Sequence, residues 1–407
     1  MTPATTRSPR RPAPARAPDA LGLTLDPVTT AQFLDEHCER APLVVARDEP
    51  GRFDAVLGDG DVERLICDGA IRTPAFRLVR DGAQLAPSTY TTDIAWRPGS
   101  FSGTALVDRV GAEHAAGATI VLQALHLHWH PAALYCRGLE IALGWPVQAN
   151  AYRTPASSQG FGVHHDTHDV FVLQVAGHKR WRVYEPVLEL PLKTQRWSPD
   201  RDRERVGAPV LDVTLQAGDT LYLPRGWPHE ATAADADSLH LTVGVHPPTR
   251  IDALRAALGE CAEDVEFRRT LDAGGVLPGT LLERLAARLE PGAVARRARR
   301  RFVDGRRPIL DGQLTQVRAL EGLTLRSPLL RRATVIAELE RSDAGVSLRF
   351  EGKEVRFPAQ AAEAVAATHA ADAPFTAAGL PGPLDAAGRL VLVRRLVREG
   401  FLRLIEA

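Results

Sequence analysis

Apolar positions along the 407-residue chain fall into three regimes. From residue 21 to about 250, short runs such as Pro42-Leu-Val-Val45, Ala118-Thr-Ile-Val-Leu122, Val170-Phe-Val-Leu-Gln-Val175, Arg180-Trp-Arg-Val-Tyr184, Thr220-Leu-Tyr-Leu223 and Leu239-His-Leu-Thr-Val243 are separated by Gly, Pro and Asp turns. Runs of this length between turn residues read as strands. Many such strands without intervening amphipathic helices predict a jelly roll or barrel.

From Ile251 the period changes. Ile251, Leu254, Leu258, Cys261 and Val265 step by three and four, a helical stripe, and a second helical stretch covers Leu281 to Phe302. The third regime begins near Leu325: Val346-Ser-Leu-Arg-Phe350 and Glu354-Val-Arg-Phe357 predict a hairpin turning at Gly352, followed by an alanine-rich helix, a further helix within Leu384–Ile405, a stop at Gly400 and a short apolar strand. Small helix-plus-hairpin units of this kind resemble winged helices. The pattern predicts an α+β protein with a disordered basic arm at 1–20, a strand-rich domain at 21–250, a helical region at 251–324 and a winged-helix-like domain at 325–407, and it contains no internal repeat.

The strand-rich part carries the chemistry. Gly160-Phe-Gly-Val-His-His-Asp-Thr-His-Asp-Val-Phe171 puts three histidines and two aspartates into twelve residues. A strand over Val163–Thr167 places His164, Asp166 and His168 on one side and His165 on the other. A third ligand is offered by Gly218-Asp-Thr-Leu-Tyr-Leu-Pro-Arg-Gly-Trp-Pro-His229, where the Pro-Arg-Gly turn presents His229 at a strand mouth. Two histidines and a carboxylate, without thiolate, leave metal positions open and favour non-haem Fe(II) over structural zinc. A lone barrel histidine is usually packed and a lone His-x-Asp arises often by chance. The two halves are the more telling because both sit at strand–turn junctions of one predicted barrel. His165 and His168 read as neighbours of the site, structural rather than ligating.

Composition narrows the field. Lys plus Arg and Asp plus Glu are each 50, so global charge points to neither nucleic acid nor membrane. The four cysteines, Cys38, Cys67, Cys136 and Cys261, form no CxxC pair, and free thiols suit a reducing cytoplasm. The first eighteen residues lack the apolar core of a secretory signal, and no apolar run approaches the length of a membrane span. Only Lys179, Lys193 and Lys353 interrupt the arginine bias, and Asn150 is the single asparagine. There is no GxGxxG, P-loop, GxSxG or HExxH. The cluster Arg296–Arg301 could contact RNA, but in so arginine-rich a chain it reads first as a solvated helix face.

In order and spacing, Val147-Gln-Ala-Asn-Ala-Tyr-Arg-Thr-Pro155, Gly160–Gln174, Gly177-His-Lys-Arg-Trp-Arg-Val-Tyr184 and Tyr222-Leu-Pro-Arg-Gly-Trp-Pro-His-Glu-Ala231 resemble the cupin-like JmjC ribosomal oxygenases. The resemblance implies a JmjC double-stranded β-helix, a helical dimerisation region and a winged-helix-like end. It implies hydroxylation of an arginine or histidine side chain of a large-subunit ribosomal protein, with Fe(II), 2-oxoglutarate and dioxygen. Carried over residue by residue, the iron ligands are His164, Asp166 and His229, and Lys179 takes the distal carboxylate of 2-oxoglutarate. A dicarboxylate gripping iron at one end needs a cation at the other. Strand alternation sets Lys179, Trp181 and Val183 on the face opposite Arg180 and Arg182. Asn150 and Tyr152, on one strand face, are assigned to cofactor or substrate binding, and Thr242 offers a hydroxyl to 2-oxoglutarate.

Two departures from the family pattern bear on the pocket. His165 stands where relatives often carry an aromatic residue, and the peptide-binding surface has no readable motif. The leading reading is therefore a dimeric protein hydroxylase. Its alternatives are the same oxygenase acting on a non-ribosomal peptide or protein, and a non-catalytic cupin-type binding module whose C-terminal part meets nucleic acid.

Overall fold

The computed structural model describes residues 19–405 apart from Asp48, Ala70 and Asp272. The arm expected over 1–20 lies outside the described residues as far as Pro18, while Asp19 caps a first helix beginning at Ala20. The chain forms two compact units that part between Pro247 and Pro248.

In the first unit the strands are β1 (Leu43–Val45), β2 (Phe76–Arg80), β3 (Ala83–Gln84), β4 (Thr91–Trp96), β5 (Gly99–Ala105), β6 (Thr119–Leu122), β7 (Val147–Thr154), β8 (Asp169–Ala176), β9 (Lys179–Tyr184), β10 (Pro209–Leu215), β11 (Thr220–Leu223), β12 (His229–Thr232) and β13 (Ser238–Val245). An eight-stranded sheet runs β1-β11-β8-β13-β7-β6-β2-β3, a three-stranded sheet runs β10-β9-β12, and β4 and β5 pair as a hairpin. Each of the six sequence runs named above forms a strand.

Strand parity builds the two layers. In β8, Val170 and Val172 point to one side, where they pack with Trp181, Val183, Leu215, Leu221 and Leu223 between the sheets. Phe171, Leu173 and Val175 point to the other side, into the main core with Phe33, Phe76 and Tyr135. A strand buried on both faces has to be apolar throughout, which is why this stretch reads as a continuous run. In β13, Leu239, Leu241, Val243 and Val245 join the main core, leaving His240 and Thr242 for the inter-sheet side.

The first unit also contains helices, contrary to the expectation of strands alone. Asp59–Cys67, Val107–Ala115 and the fourteen-residue His130–Leu143 are helical. The last buries Ala132, Tyr135, Cys136 and Leu139 at a spacing of three and four. Pro131 opens it, and Gly144, at φ 73°, ends it in the left-handed region. A second correction concerns Val163–Thr167. Only His164 forms a bridge there, to His229, and regular pairing starts at Asp169. The Asp166 carbonyl accepts from the Gly226 N–H, so the chain leaves the ladder to follow the turn.

In the second unit the helical region holds Arg250–Cys261, Gly279–Arg288 and Pro291–Asp304. The stretch expected as one helix over 281–302 is thus two, because Pro291 lacks the N–H to continue the first. Glu290 caps the second through the Gly292 and Ala293 N–H groups, both at 2.8 Å. The strands are β14 (Pro328–Arg331), β15 (Ala337–Ser342), β16 (Gly345–Phe350), β17 (Lys353–Phe357), β18 (Phe375–Thr376) and β19 (Leu402–Leu404), in sheets β18-β14-β19 and β15-β16-β17. The hairpin turning at Gly352 is thus extended by β15. Helices Ala362–Ala370 and Ala386–Arg398 supply Val365, Val393, Leu396 and Val397 to this unit's core. No helix among the described residues is long and apolar enough to cross a membrane.

The β8–β9 turn depends on Gly177, at φ 62°, where an added Cβ would lie 1.9 Å from the Asp237 carbonyl oxygen. Gly177→Ala is expected to lower stability by at least about 1 kcal/mol, because both the dihedral and the space exclude a side chain. Urea unfolding should show a lower midpoint with an unchanged slope; an unchanged midpoint would contradict this account of the turn.

Candidate metal centre

His164 and His229 exchange backbone hydrogen bonds, with His164 N to His229 O at 3.1 Å and His229 N to His164 O at 2.8 Å. The Gly226 N–H reaches the Asp166 carbonyl at 3.0 Å. These bonds fix three side chains relative to one another although 62 residues of chain separate Gly226 from His164. One ligand-type atom from each of His164, Asp166 and His229 lies within 4.8 Å of the other two. The imidazole centroids are 4.6 Å apart, and His229 Nε2 is 3.9 Å from Asp166 Oδ2.

The donor set fits a metal ion. His164 Nδ1 lies 2.8 Å from the Gly162 carbonyl and His229 Nδ1 lies 3.0 Å from the Trp227 carbonyl. A carbonyl only accepts, so both Nδ1 atoms carry the proton and both Nε2 lone pairs are left for a ligand. Burial, with the neighbouring His164, holds His229 down to about 4, so its imidazole is neutral at physiological pH. Burial alone would raise the Asp166 carboxyl, but the imidazoles of His168, His164, His229 and His165 outweigh it and keep the group below its ordinary value.

These residues open onto a cavity of about 240 Å³ lined also by Tyr152, Lys179, Trp181, His240 and Thr242. Lys179 is 4 % exposed, and its Nζ donates to Thr154 Oγ1 at 2.9 Å. Among the described residues no carboxylate pairs with it, and burial pulls its ammonium down to about 7. Arg180, on the opposite face, is instead exposed and holds Asp212 at 2.7 and 2.6 Å. Tyr152 stacks flat on His240, 4.9 Å between centroids and 5° between planes. Thr242 sits in register with Asn150, whose carboxamide oxygen accepts from the Ala124 N–H at 2.9 Å. Asn150 thus ties down the chain at Ala124, beside the cavity wall rather than on it.

The other two histidines of the cluster go elsewhere. His165 is buried, with Nε2 3.3 Å from the Gln195 carbonyl and its ring edge-on to Trp197. His168 does not share the cavity face expected from strand alternation. It stacks on His246 at 4.6 Å, because no strand runs through 165–168.

Sequence reasoning put Trp181 on the inward face beside Lys179 but gave no site role to it, to the cavity residue His240 or to Thr154, which holds the Lys179 ammonium. Each lies two positions from an identified residue, so the same alternation could have assigned them. Arg77, over the Phe161 ring at 5.4 Å, comes from β2 and has no such local signal.

Residues 127–253 match the family model of the JmjC domain. Among curated relatives, ribosomal oxygenase 1 of Gallus gallus is 32 % identical over 269 residues, 63 % of this chain and 42 % of the relative. The bifunctional lysine-specific demethylase and histidyl-hydroxylase NO66 of Drosophila persimilis is 32 % identical over 227 residues, 56 % of this chain and 31 % of the relative. The chain therefore matches less than half the length of either. In fold it is similar to YcfD, a ribosomal oxygenase from Escherichia coli solved with cobalt and 2-oxoglutarate, at TM-score 0.55 and 18 % identity, covering 93 % of this chain and 99 % of that one.

The buried lysine sets a pH-dependent stability. The folded-state value near 7 lies below the ordinary ~10.4, so between the two the unfolded chain holds a proton that the folded chain lacks, and stability rises with pH. Lys179→Met is therefore expected to be more stable than the native chain at and below pH 7, on the order of a few kcal/mol. The gap should close toward pH 10. Paired urea titrations at pH 6.5 and 10 test this, and a gap that fails to narrow would refute the burial account.

Proposed function

We propose that the chain is an Fe(II)- and 2-oxoglutarate-dependent dioxygenase that hydroxylates an arginine or histidine side chain of a large-subunit ribosomal protein. The observation that carries this reading is a three-ligand His-Asp-His group sharing one cavity with a buried lysine that no carboxylate among the described residues neutralises. A non-catalytic binding module needs neither, and the names of the relatives support the oxygenase class.

In this reading His164 and His229 hold the metal through Nε2 and Asp166 holds it through its carboxylate. Bound iron would supply oxygen activation, with oxidative decarboxylation of 2-oxoglutarate to succinate and carbon dioxide providing two of the electrons. Lys179 and Thr154 take the distal carboxylate at the closed end of the cavity. Tyr152 and Thr242 offer hydroxyls to the cosubstrate, and Asn150 orients the Tyr152 hydroxyl. The Trp181 and His240 rings, with Val170 and Val172, keep water from the reacting end. The open mouth beside Phe161 and Arg77 receives the target side chain.

Two further assignments belong to the same reading. The helical region 251–324 dimerises: Leu254, Leu258 and Leu282 are 43, 53 and 54 % exposed, an apolar face that a second copy would cover. Residues 325–407 act as a winged-helix-like domain, and the reaction takes place in the cytoplasm.

The test is intact-mass spectrometry of ribosomal proteins from a host strain lacking this gene, incubated with the protein, Fe(II), 2-oxoglutarate and ascorbate in air. A one-oxygen gain on one large-subunit protein that requires 2-oxoglutarate is expected. Succinate formation without that gain would move the substrate outside the ribosome, and no succinate would favour the binding module. His164→Ala and Asp166→Ala are each expected to abolish succinate formation while leaving the circular dichroism spectrum unchanged. Full turnover in either would overturn the ligand assignment.

A further inference from the structure

The turn that delivers His229 is gripped on its far side by a buried charged cluster that the proposed reaction does not use. The Arg225 N–H donates to Asp169 Oδ1 at 2.9 Å. The Arg225 guanidinium lies 4.0 Å from the same oxygen and donates to Glu39 through Nη1. Tyr222 donates its hydroxyl to Asp169 and accepts from the Glu39 N–H at 3.0 Å. Asp169 and Tyr222 are each 1 % exposed and Arg225 is 7 % exposed.

A cluster this deep is a poor source of stability, since desolvating two charges costs several kcal/mol that their attraction only partly returns. Its location suggests a different role. Asp169 stands three residues after Asp166 and Arg225 four before His229, and between the two pairs runs the Gly226 N–H to Asp166 carbonyl bond at 3.0 Å. The cluster and that bond together join both halves of the ligand set from behind. Glu39 extends the connection to the segment Phe33–His37, whose Phe33 packs on Phe171 and Tyr222.

We propose that Asp169, Arg225 and Glu39 are positioning residues for the metal centre, holding the Asp166 carboxylate and the His229 imidazole at the spacing that a single ion requires. This rests on the metal-binding reading of His164, Asp166 and His229. Partners behind metal ligands typically change affinity by 10–100-fold when removed.

The experiment titrates Co(II) into the metal-free full-length chain, following the visible absorption of the bound ion for native protein, Asp169→Asn, Arg225→Lys and Arg225→Met. Asp169→Asn keeps an acceptor for the Arg225 N–H and removes the charge. It is expected to weaken Co(II) binding by about tenfold or more and to alter the band intensities. Arg225→Lys should retain more affinity than Arg225→Met. Should Asp169→Asn fail to fold, Glu39→Gln carries the test, because that carboxylate is 40 % exposed and its removal disturbs packing least. A weakening of about threefold or more is then expected. Folded variants that lose thermal stability yet bind Co(II) with native affinity and spectrum would overturn the positioning role. Native protein that binds no Co(II) would instead overturn the metal reading itself, so the two failures are distinguishable.

Discussion

The site depends on a single pair of residues whose backbones face each other. His164 and His229 exchange both hydrogen bonds without belonging to a continuous ladder. That exchange sets the distance between two imidazoles from remote parts of the chain, and the carbonyls of Gly162 and Trp227 set their tautomers. Each of those carbonyls lies two residues before its histidine. One local geometry, used twice, aims both Nε2 atoms at the same point.

Strand parity supplies the rest of the cavity. In β7, β8 and β13, alternate residues fill the main core and leave the intervening ones for the space between the sheets, and in β9 Lys179, Trp181 and Val183 face that space while Arg180 and Arg182 turn to solvent. The core needs apolar bulk at every second position. The positions in between are therefore free to carry Tyr152, Thr154, His240 and Thr242, with Lys179 facing them from β9, and chemistry is added without emptying the core. Gly177 closes the β8–β9 hairpin so that Lys179 becomes the first inward residue of its strand.

Much of this was legible in the sequence where the signal is local. The six apolar runs and the inward face of Lys179 follow from period-two alternation, His229 follows from its Pro-Arg-Gly turn, and the His-x-Asp pair stood out as a motif although the alternation expected to align it is absent. The helix His130–Leu143 was hidden because its apolar stripe merges with the Leu125–Trp129 run. The strand expected at Val163–Thr167 is a single bridge, because a tertiary bond from Gly226 takes the Asp166 carbonyl. Least legible were contacts between distant segments. Arg225 reaches Glu39 across 186 residues, and nothing in either neighbourhood announces the other.

The choice of lysine at position 179 has an electrical consequence. Arginine is the default cation of this chain, yet a guanidinium in that recess would stay charged whatever the recess contained. In the proposed reading, a lysine whose ammonium burial pulls down to about 7 would give up its proton in the empty recess and regain it with the distal carboxylate of 2-oxoglutarate. That carboxylate and the proton would then enter together as a neutral pair. The apolar strands around the closed end need never enclose a net charge, and the resting protein is spared the resident counter-ion that an arginine would demand.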